Sequence, residues 1–316
     1  MADRSLKTAI QTQGHTRALK DGAVHPQSFD FAFEDVPVII QAFRRMVRGM
    51  EFDISEMAIT TYLCAKEHGK RFTALPIFLV RAFHHGAIVI NKNLGIRSPK
   101  DLEGKKVGVN RGYTVTTGVW IRGILQHEYG VDLNAITWVL SGDEHVAEYR
   151  PPANVVPIAA GKKLEDMLVA GEIAGAIGVE INHPDVGALL PDAAEAGFAA
   201  LRRTGHYPIN HALVVKDELL QSRPELARDI VEAFGEAKRR YVDQLKHNQI
   251  AEPSRNDRLY QRVMEITGAD PLPYGVAASR PMLDAVVQYA SEQGILTRPA
   301  KVDDLFPVKA LGLSEG

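Results

Sequence analysis

The stretch SPKDLEGKKVGVNRGYTVTTGVWIRGILQHEYG, residues 98–130, carries the clearest local structural signal in the chain. Ser98 and Asp101 have the spacing of a capping box, and residues 105–109 are short and apolar enough to form a buried strand. Residues 114–128 then repeat apolar side chains at helical spacing. The stretch therefore predicts a strand, a polar loop and a helix, with the loop at the carboxyl end of the strand. Loops in that position commonly bind ligands.

Segments on either side of this stretch alternate between short apolar runs and amphipathic runs, which is the pattern of a mainly parallel α/β sheet. The further predicted strands occupy residues 6–11, 29–33, 73–79, 136–140, 175–179 and 210–215. The further predicted helices occupy residues 36–48, 56–69, 163–172, 222–241, 259–267 and 281–293. Ser55 is the expected N-cap of the helix that begins near Glu56.

We interpret the middle of the chain, residues 92–210, as a lobe inserted between two parts of another lobe. The first lobe then consists of residues 1–91 and 211–316. The cleft between the two lobes is the expected ligand site.

The composition is that of an ordinary globular protein, since 45% of the 316 residues are apolar and 24% are charged. Because 37 basic residues nearly balance 39 acidic ones, the net charge is -2 and no global field attracts nucleic acid. The single Cys64 excludes an internal disulfide and thiolate-rich metal sites, and it favours a reducing compartment. Fibrous and disordered classes are therefore excluded, and we expect no nucleic-acid partner.

The first 22 residues contain no apolar run of signal-peptide length. The longest apolar runs, such as residues 74–80, fall far below the ~20 residues of a membrane-spanning helix. We therefore expect a cytoplasmic protein without a membrane partner. Whether it forms a homo-oligomer is left open.

The order of the motifs resembles a known fold. SPKDLEGKKVGV (98–109) opens the second lobe and VAGEIAGAIG (169–178) closes its last strand. In this arrangement the chain is similar to type II periplasmic binding proteins of the nitrate/sulfonate and thiamine-precursor branch. The resemblance implies a two-lobed α/β fold with a ligand cleft between the lobes, and it does not by itself imply a function.

Five further segments, which span nearly the whole chain, resemble 4,5-dihydroxyphthalate decarboxylase and its close relatives. They are FDISEMAITTYL (52–63), LPIFLVRAFHH (75–85), VLSGDEHVAEYRPPANV (139–155), YPINHALVV (207–215) and PYGVAASRP (273–281). The resemblance implies a cytoplasmic enzyme of phthalate catabolism that removes one carboxylate from a dihydroxylated aromatic diacid and yields protocatechuate. It identifies no catalytic residues.

Two other functions compete with this one. The main alternative is a non-catalytic solute receptor of the same fold, which would bind a small anion without chemistry. A relative of the thiamine-pyrimidine synthases is the second alternative, but the cysteine-rich motif of that family has no counterpart beside the lone Cys64.

Loss of CO2 from a phenolic acid requires a general acid, because the ring carbon that carries the carboxylate must be protonated. The hydroxyl groups of such a substrate need an acceptor such as Glu or His. The candidate catalytic residues are His84, His85, His145, His211 and Glu144. Glu144 and His145 are the leading pair, and Glu144 or Glu180 would orient a histidine or a phenol. The alternatives are core histidines and a solvated acidic turn.

The candidate substrate-binding residues are Arg81, Arg111, Tyr113, Thr114, Thr116, Ser55, Glu56 and Glu180. Arg81 and Arg111 are expected to hold carboxylates through their planar forks. The loop around Arg111 also offers backbone N–H groups at a helix start, which would make an anion cradle. The alternative is an ordinary turn in which Thr114 caps the helix. Capping alone could likewise explain Ser55 and Glu56.

No compact metal-binding motif such as H-E-x-x-H occurs, and neither the G-x-G-x-x-G nor the P-loop pattern is present. We therefore expect no nucleotide cofactor, and we expect metal-free acid–base catalysis in preference to a divalent ion. The expected partner is a small aromatic dicarboxylate substrate.

Overall fold

Two β-sheets and the helices that cover them build the fold, and the computed structural model describes residues 4–309 and 311–313. The strands are β1 (Ser5–Ala9), β2 (Asp30–Phe33), β3 (Ile54–Ala58), β4 (Phe72–Arg81), β5 (Ile88–Asn91), β6 (Lys106–Val109), β7 (Thr137–Leu140), β8 (Val155–Pro157), β9 (Gly175–Ile177), β10 (Val186–Ala188) and β11 (Ile209–Lys216). The α-helices are α1 (Arg17–Lys20), α2 (Ile39–Gly49), α3 (Ile59–Glu67), α4 (Thr116–Tyr129), α5 (Leu164–Val169), α6 (Ala193–Thr204), α7 (Asp217–Ser222), α8 (Leu226–Lys246), α9 (Arg255–Thr267), α10 (Val276–Glu292) and α11 (Val302–Leu305).

The two sheets correspond to two lobes. The first has the strand order β2-β1-β3-β11-β4 and the second has the order β10-β5-β9-β6-β7-β8. In the first sheet β1 runs parallel to β2 and β3, whereas β11 lies antiparallel between β3 and β4. In the second sheet β6 runs parallel to β7 and β9. The predicted two-lobed α/β architecture is confirmed.

The second lobe begins earlier than the sequence predicted. β5 pairs with β9 and β10 in the second sheet, so a boundary at residue 92 falls after the first strand of that lobe. The return to the first sheet begins at Ile209 rather than at residue 211. The C-terminal part also serves both lobes, because α10 packs against α3 of the first lobe and α4 of the second. Its assignment to the first lobe alone is therefore too narrow.

The segment that follows Phe52 differs from its prediction. β3 continues through Ser55 and Glu56 to Ala58, and α3 begins only at Ile59, so Ser55 is not an N-cap. Every residue of β3 is buried, and the strand pairs with a neighbour on each side. A strand in that position needs no alternating pattern, because both of its faces are covered. The difference moves Glu56 from a helix terminus to the middle of a sheet.

One apolar cluster crosses from the first lobe to the second. It includes Phe43 and Met46 on α2, Val119 on α4 and Leu283 on α10. A hydrogen bond reinforces the contact, since the side-chain amide of Gln293 donates to the carbonyl of Val119 at 3.0 Å. The two lobes are therefore held against each other by a shared core.

The long helix α8 covers the first sheet with one face. Ile230 and Phe234 are buried in a cluster with strand residues such as Leu75, and charged side chains occupy the outer face. Among residues 4–309 and 311–313, no helix combines the length and the apolar character that crossing a membrane requires.

We predict that Gly123→Ala destabilises the protein, because a Cβ atom at this position of α4 would lie 2.1 Å from the ring of Tyr289 on α10. Overpacking of this kind costs ~1–3 kcal/mol. Chemical unfolding of the variant and the parent protein measures the difference in free energy of unfolding. Gly49→Ala is the matched control, because a Cβ there would have no atom within 4 Å. An unchanged stability of Gly123→Ala would contradict the close approach of α4 and α10.

Candidate active site

A buried carboxylate and a histidine form the centre of the candidate site. The side chain of Glu56 is fully buried in β3, and it accepts a hydrogen bond from Nδ1 of His211 at 2.6 Å. Its other oxygen accepts from the backbone N–H of Gln11 at 2.9 Å. These two donors compensate the loss of water around the carboxylate. The pair fixes the ring of His211 and leaves Nε2 for a reactant.

His211 lies beside an irregularity in the first sheet. The register between β11 and β4 shifts repeatedly over residues 209–213, which marks a β-bulge. On its other side β11 keeps a regular register with β3, where Leu213 lies opposite Glu56. His211 is then the diagonal neighbour of Glu56 on the same face, because side chains alternate along a strand. Bulges commonly re-aim a side chain beside a functional site.

A second histidine reaches the same region from the other lobe. The ring of Phe43 makes edge contacts with His211 and with His145, at centroid distances of 5.0 and 6.2 Å. Nδ1 of His145 lies 3.1 Å from Oγ1 of Thr61 on α3. Burial lowers the pKa of His145 to about 4, and nearby arginine charges reinforce the effect. His145 is therefore neutral at neutral pH and forms hydrogen bonds without carrying a charge.

A cavity of about 380 Å³ opens between the lobes beside His145. Three arginines line it: Arg44 and Arg45 from α2, and Arg111 from the loop after β6. Val38 adds an apolar wall. The volume falls within the range of about 300–1,000 Å³ that is usual for small-molecule sites. These walls suit an anion that also carries an apolar ring.

Arg111 is the arginine of this cavity whose charge is available to a ligand. Arg44 pairs with Asp143, and Arg45 pairs with Glu51. The Arg111 guanidinium has no hydrogen bond or ion pair to the part of the chain that the structure describes, and burial lowers its pKa. Its backbone adopts a φ of 71°, in the left-handed region. Such strain in a residue with a side chain is concentrated at functional sites.

The predicted anion cradle exists, but the protein's own Glu144 occupies it. The Glu144 carboxylate accepts hydrogen bonds from the backbone N–H groups of Tyr113 and Thr114 and, at 2.6 Å, from the Thr114 hydroxyl. Gly112 makes room for it, since a Cβ atom there would lie 2.5 Å from the carboxylate. Thr114 is not the helix cap either, because α4 begins at Thr116. Tyr113 and Thr114 therefore position Glu144 rather than face the cavity.

Two other predicted binding residues have partners inside the protein. The Thr116 hydroxyl lies 2.8 Å from the hydroxyl of Thr60 on the first lobe. Arg81 is buried and donates to the carbonyl of Tyr207 and to the hydroxyl of Ser279, each at 2.9 Å. The prediction that Arg81 holds a substrate carboxylate is thus corrected, because its guanidinium ties the end of β4 to the C-terminal region.

His84 and His85 lie in the crossover between the lobes and do not line the cavity. Nε2 of His84 is 2.9 Å from the side-chain oxygen of Asn210, and its ring stacks on Trp120. Nε2 of His85 is 3.3 Å from the carboxylate of Glu128. Both rings are buried among such partners, so the structure favours a packing role over that of general acid.

Ser55 and Glu180 complete the predicted set. The Ser55 hydroxyl is buried and donates to the backbone carbonyl of Glu56 at 2.8 Å, so it does not face a ligand. Glu180 is exposed, three residues after the end of β9. Its orienting role stays a prediction. The leading pair of Glu144 and His145 is adjacent in the chain, yet each side chain binds a different partner.

The sequence patterns indicate Glu56 and His211 separately but not as a pair, and they do not indicate the contributions of Phe43, Arg44 and Thr61. The relevant part of α2 has apolar residues on one face and arginines on the other, which is the pattern of any amphipathic helix. The available signal was the unusual glutamate in the apolar run FDISEMAI (52–59). A buried charge in such a run indicates a specific partner.

The polar groups of the site belong to arginine, histidine and a carboxylate. Among the residues that the structure describes, no three His, Cys, Asp or Glu side chains are grouped so that they could hold a metal ion. The arrangement is suited to binding an anion and moving a proton.

The sequence is similar to two curated proteins that share one name. It is 30% identical over 325 residues to the 4,5-dihydroxyphthalate decarboxylase of Comamonas testosteroni, with 97% of each chain covered. The chain belongs to the 4,5-dihydroxyphthalate decarboxylase family. It is also 32% identical over 204 residues to the 4,5-dihydroxyphthalate decarboxylase of Pseudomonas putida, with 60% of this chain and 78% of that one covered. No protein-family model matches the chain.

Solved structures similar to this member of the decarboxylase family include periplasmic binding proteins. The sulfonate-binding protein SsuA of Methylobacillus flagellatus KT has a TM-score of 0.54 at 14% identity, with 99% of this chain and 96% of that chain covered. The aliphatic sulphonate-binding protein SsuA of Escherichia coli has a TM-score of 0.53 at 11% identity, with 96% and 98% covered. Likeness at these identities shows the fold alone. The predicted periplasmic-binding-protein-like fold is confirmed.

We predict that acid destabilises the protein through three buried histidines. Burial lowers the pKa of His15, His84 and His145 from 6.5 to about 4. Between these values the unfolded chain binds protons that the folded chain does not, so the free energy of unfolding falls as the pH falls. The slope reaches ~1.4 kcal/mol per pH unit for each histidine. Urea unfolding at about pH 6.5 and at about pH 4.5 measures the loss.

His145→Gln should make this loss smaller, because it removes one of the three titrating groups. The control is His247→Gln, since His247 is exposed at the end of α8. An equal loss in the parent protein and in His145→Gln would contradict the buried, neutral state of His145.

Proposed function

We propose that this chain decarboxylates a hydroxylated aromatic dicarboxylate, most directly 4,5-dihydroxyphthalate to protocatechuate and CO2, in phthalate catabolism. Membership of the 4,5-dihydroxyphthalate decarboxylase family supports the choice of substrate. The observation that carries the proposal is the pair of His211 and Glu56, which the ring of Phe43 connects to His145 in the wall of a cavity lined by three arginines. Such a site combines a proton donor with anion binding. A cytoplasmic location stays a prediction.

The reaction replaces one carboxylate of the ring by a hydrogen atom. A hydroxyl group para to the departing carboxylate supplies electron density to the carbon that carries it, and that carbon accepts a proton. The bond from the ring to the carboxylate carbon then breaks, its electron pair returns to the ring and CO2 leaves. Each turnover consumes one proton, which a group held close to the ring carbon has to deliver.

His211 delivers that proton from Nε2 in this proposal. Glu56 holds the opposite nitrogen, and a carboxylate in this position orients the imidazole and stabilises its charged form. The side chain of His211 is 18% exposed, so water can return the proton after each turnover. Glu56 acts through His211 and does not itself transfer the proton to the ring.

Arg111 and His145 hold the substrate in this proposal. The free guanidinium of Arg111 binds the carboxylate that is retained, in the bidentate geometry that arginine favours. His145 is neutral, because burial lowers its pKa to about 4, and it hydrogen-bonds a ring hydroxyl. Phe43 contacts both histidines and offers an apolar surface to the ring of the substrate.

The test is to incubate the purified protein with 4,5-dihydroxyphthalate and to follow CO2 release and protocatechuate formation. Samples treated with a chelator and samples given divalent ions run in parallel. Turnover in the chelated sample supports the metal-free reaction, and turnover only with added ions supports a metal-assisted one. Saturable binding without any product contradicts the proposal and supports the solute receptor of the same fold.

We predict that His211→Asn and Glu56→Gln each lower kcat by about 100-fold or more, since general acid catalysis contributes ~10²–10⁴-fold. Glu56→Gln keeps the shape of the side chain and removes its charge. Steady-state kinetics of both variants check the prediction, with His247→Asn as the control at an exposed histidine. Unchanged kcat in both variants would remove this pair from the mechanism.

We predict that Arg111→Gly raises KM by about 10–100-fold, because a hydrogen bond to a charged group contributes ~1.5–3 kcal/mol. Glycine suits the φ of 71°, so the variant should be at least as resistant to denaturant as the parent protein. Arg111→Lys keeps the charge without the fork and should be intermediate. Steady-state kinetics and urea unfolding measure the two effects. A KM equal to that of the parent would show that Arg111 holds no carboxylate.

A further inference from the structure

Arg48, on α2 of the first lobe, donates hydrogen bonds to the main chain of a loop from the second lobe. Its Nη2 donates to the backbone carbonyl of Glu144 at 2.7 Å, and its Nε donates to the carbonyl of His145 at 3.2 Å. Nη2 also lies 2.9 Å from the carboxylate of Asp143. One guanidinium therefore holds three successive residues of the loop 141–150. Arg48 does not line the cavity beside them.

Two of the residues that Arg48 holds place their side chains at the candidate site. The carboxylate of Glu144 fills the backbone cradle at Tyr113 and Thr114. The ring of His145 lines the cavity. A shift of this main chain would move both side chains together.

The position of Glu144 affects a buried cation, the guanidinium of Arg122. Arg122 is fully buried and donates to the carbonyl of Tyr113 at 2.6 Å, with its guanidinium 3.8 Å from the centre of the Tyr113 ring. No carboxylate pairs with Arg122 directly among residues 4–309 and 311–313. Burial lowers the pKa of Arg122, and the charge of Glu144, which is bonded to the N–H of the same Tyr113, partly opposes this effect. Withdrawal of Glu144 would leave a buried charge less compensated.

We propose that Arg48 is a positioning residue, which sets the main chain of residues 143–145 so that Glu144 occupies the cradle and His145 faces the cavity. Its kinetic consequence rests on the proposed function, whereas its structural consequence does not. Arg48 reaches across the junction of the lobes, so the second lobe's part of the site is ordered by the first lobe.

The two carbonyl contacts, rather than the ion pair, carry this role. Asp143 is exposed, and exposed ion pairs contribute only ~0–1 kcal/mol. Arg44 pairs with the same carboxylate but makes no contact with the loop carbonyls in the described structure. Asp143→Ala therefore removes both ion pairs but keeps the hydrogen bonds of Arg48 to the main chain. This variant is the matched control for Arg48→Gln.

The first measurement is hydrogen–deuterium exchange without substrate. In Arg48→Gln the amides of Tyr113 and Thr114 should exchange faster, because Glu144 no longer holds them steadily. In Asp143→Ala their exchange should match the parent protein. Equal exchange at these amides in all three proteins would overturn the proposal. This result does not depend on any catalytic activity, so it stands apart from the test of the decarboxylase function.

The second measurement is steady-state kinetics with 4,5-dihydroxyphthalate. Arg48→Gln should lower kcat by about tenfold or more with a small change in KM, because slight misplacement of site groups has effects of that size. Arg48→Lys keeps the charge but cannot donate from two nitrogens to both carbonyls. Its kcat should be intermediate, which would also show that the fold survives. Asp143→Ala should keep kcat within about twofold. If Arg48→Gln behaves like Asp143→Ala, Arg48 does not position the site.

Discussion

A carboxylate buried in the middle of a sheet needs hydrogen-bond donors, and Glu56 obtains them from the strands on both sides of its own. Gln11 follows β1 and His211 lies on β11, the first and last strands of the described part of the chain. The strand order β1-β3-β11 brings these distant segments into contact. The candidate catalytic pair is therefore a product of topology, and no contiguous motif encodes it.

The second lobe contributes to the cavity a guanidinium without a partner in the described part of the chain and a neutral imidazole. Arg111 and His145 come from loops at the carboxyl ends of β6 and β7. They face a cavity that α2 of the first lobe closes from the other side. A fold shared with periplasmic binding proteins thus places Arg111 and His145 opposite α2 across one cavity. In the proposed function, the buried Glu56 with His211 adds acid–base chemistry to binding between the lobes.

Local patterns predicted most of the fold, because burial in an α/β protein leaves periodic signals. Ser98 and Asp101 form the expected capping box, and the strand, loop and helix around Arg111 occur where the pattern placed them. Side-chain pairing could not be predicted in the same way. Glu144 and His145 are neighbours in sequence with separate partners, whereas Glu56 and His211 are 155 positions apart and in contact. Contacts of that separation depend on strand order and register, which no local sequence pattern specifies.

The position of β11 between β3 and β4 has a consequence for synthesis of the chain. The first sheet cannot form completely until the whole second lobe has been synthesised, because β11 follows that lobe in the chain. The apolar face of α4 likewise stays uncovered until α10 has been synthesised. A nascent chain therefore emerges from the ribosome with an incomplete first sheet, an uncovered helix α4 and exposed strand edges. Contacts between distant segments also slow folding once synthesis ends. During that interval the unpaired strand edges and the uncovered apolar face of α4 favour aggregation.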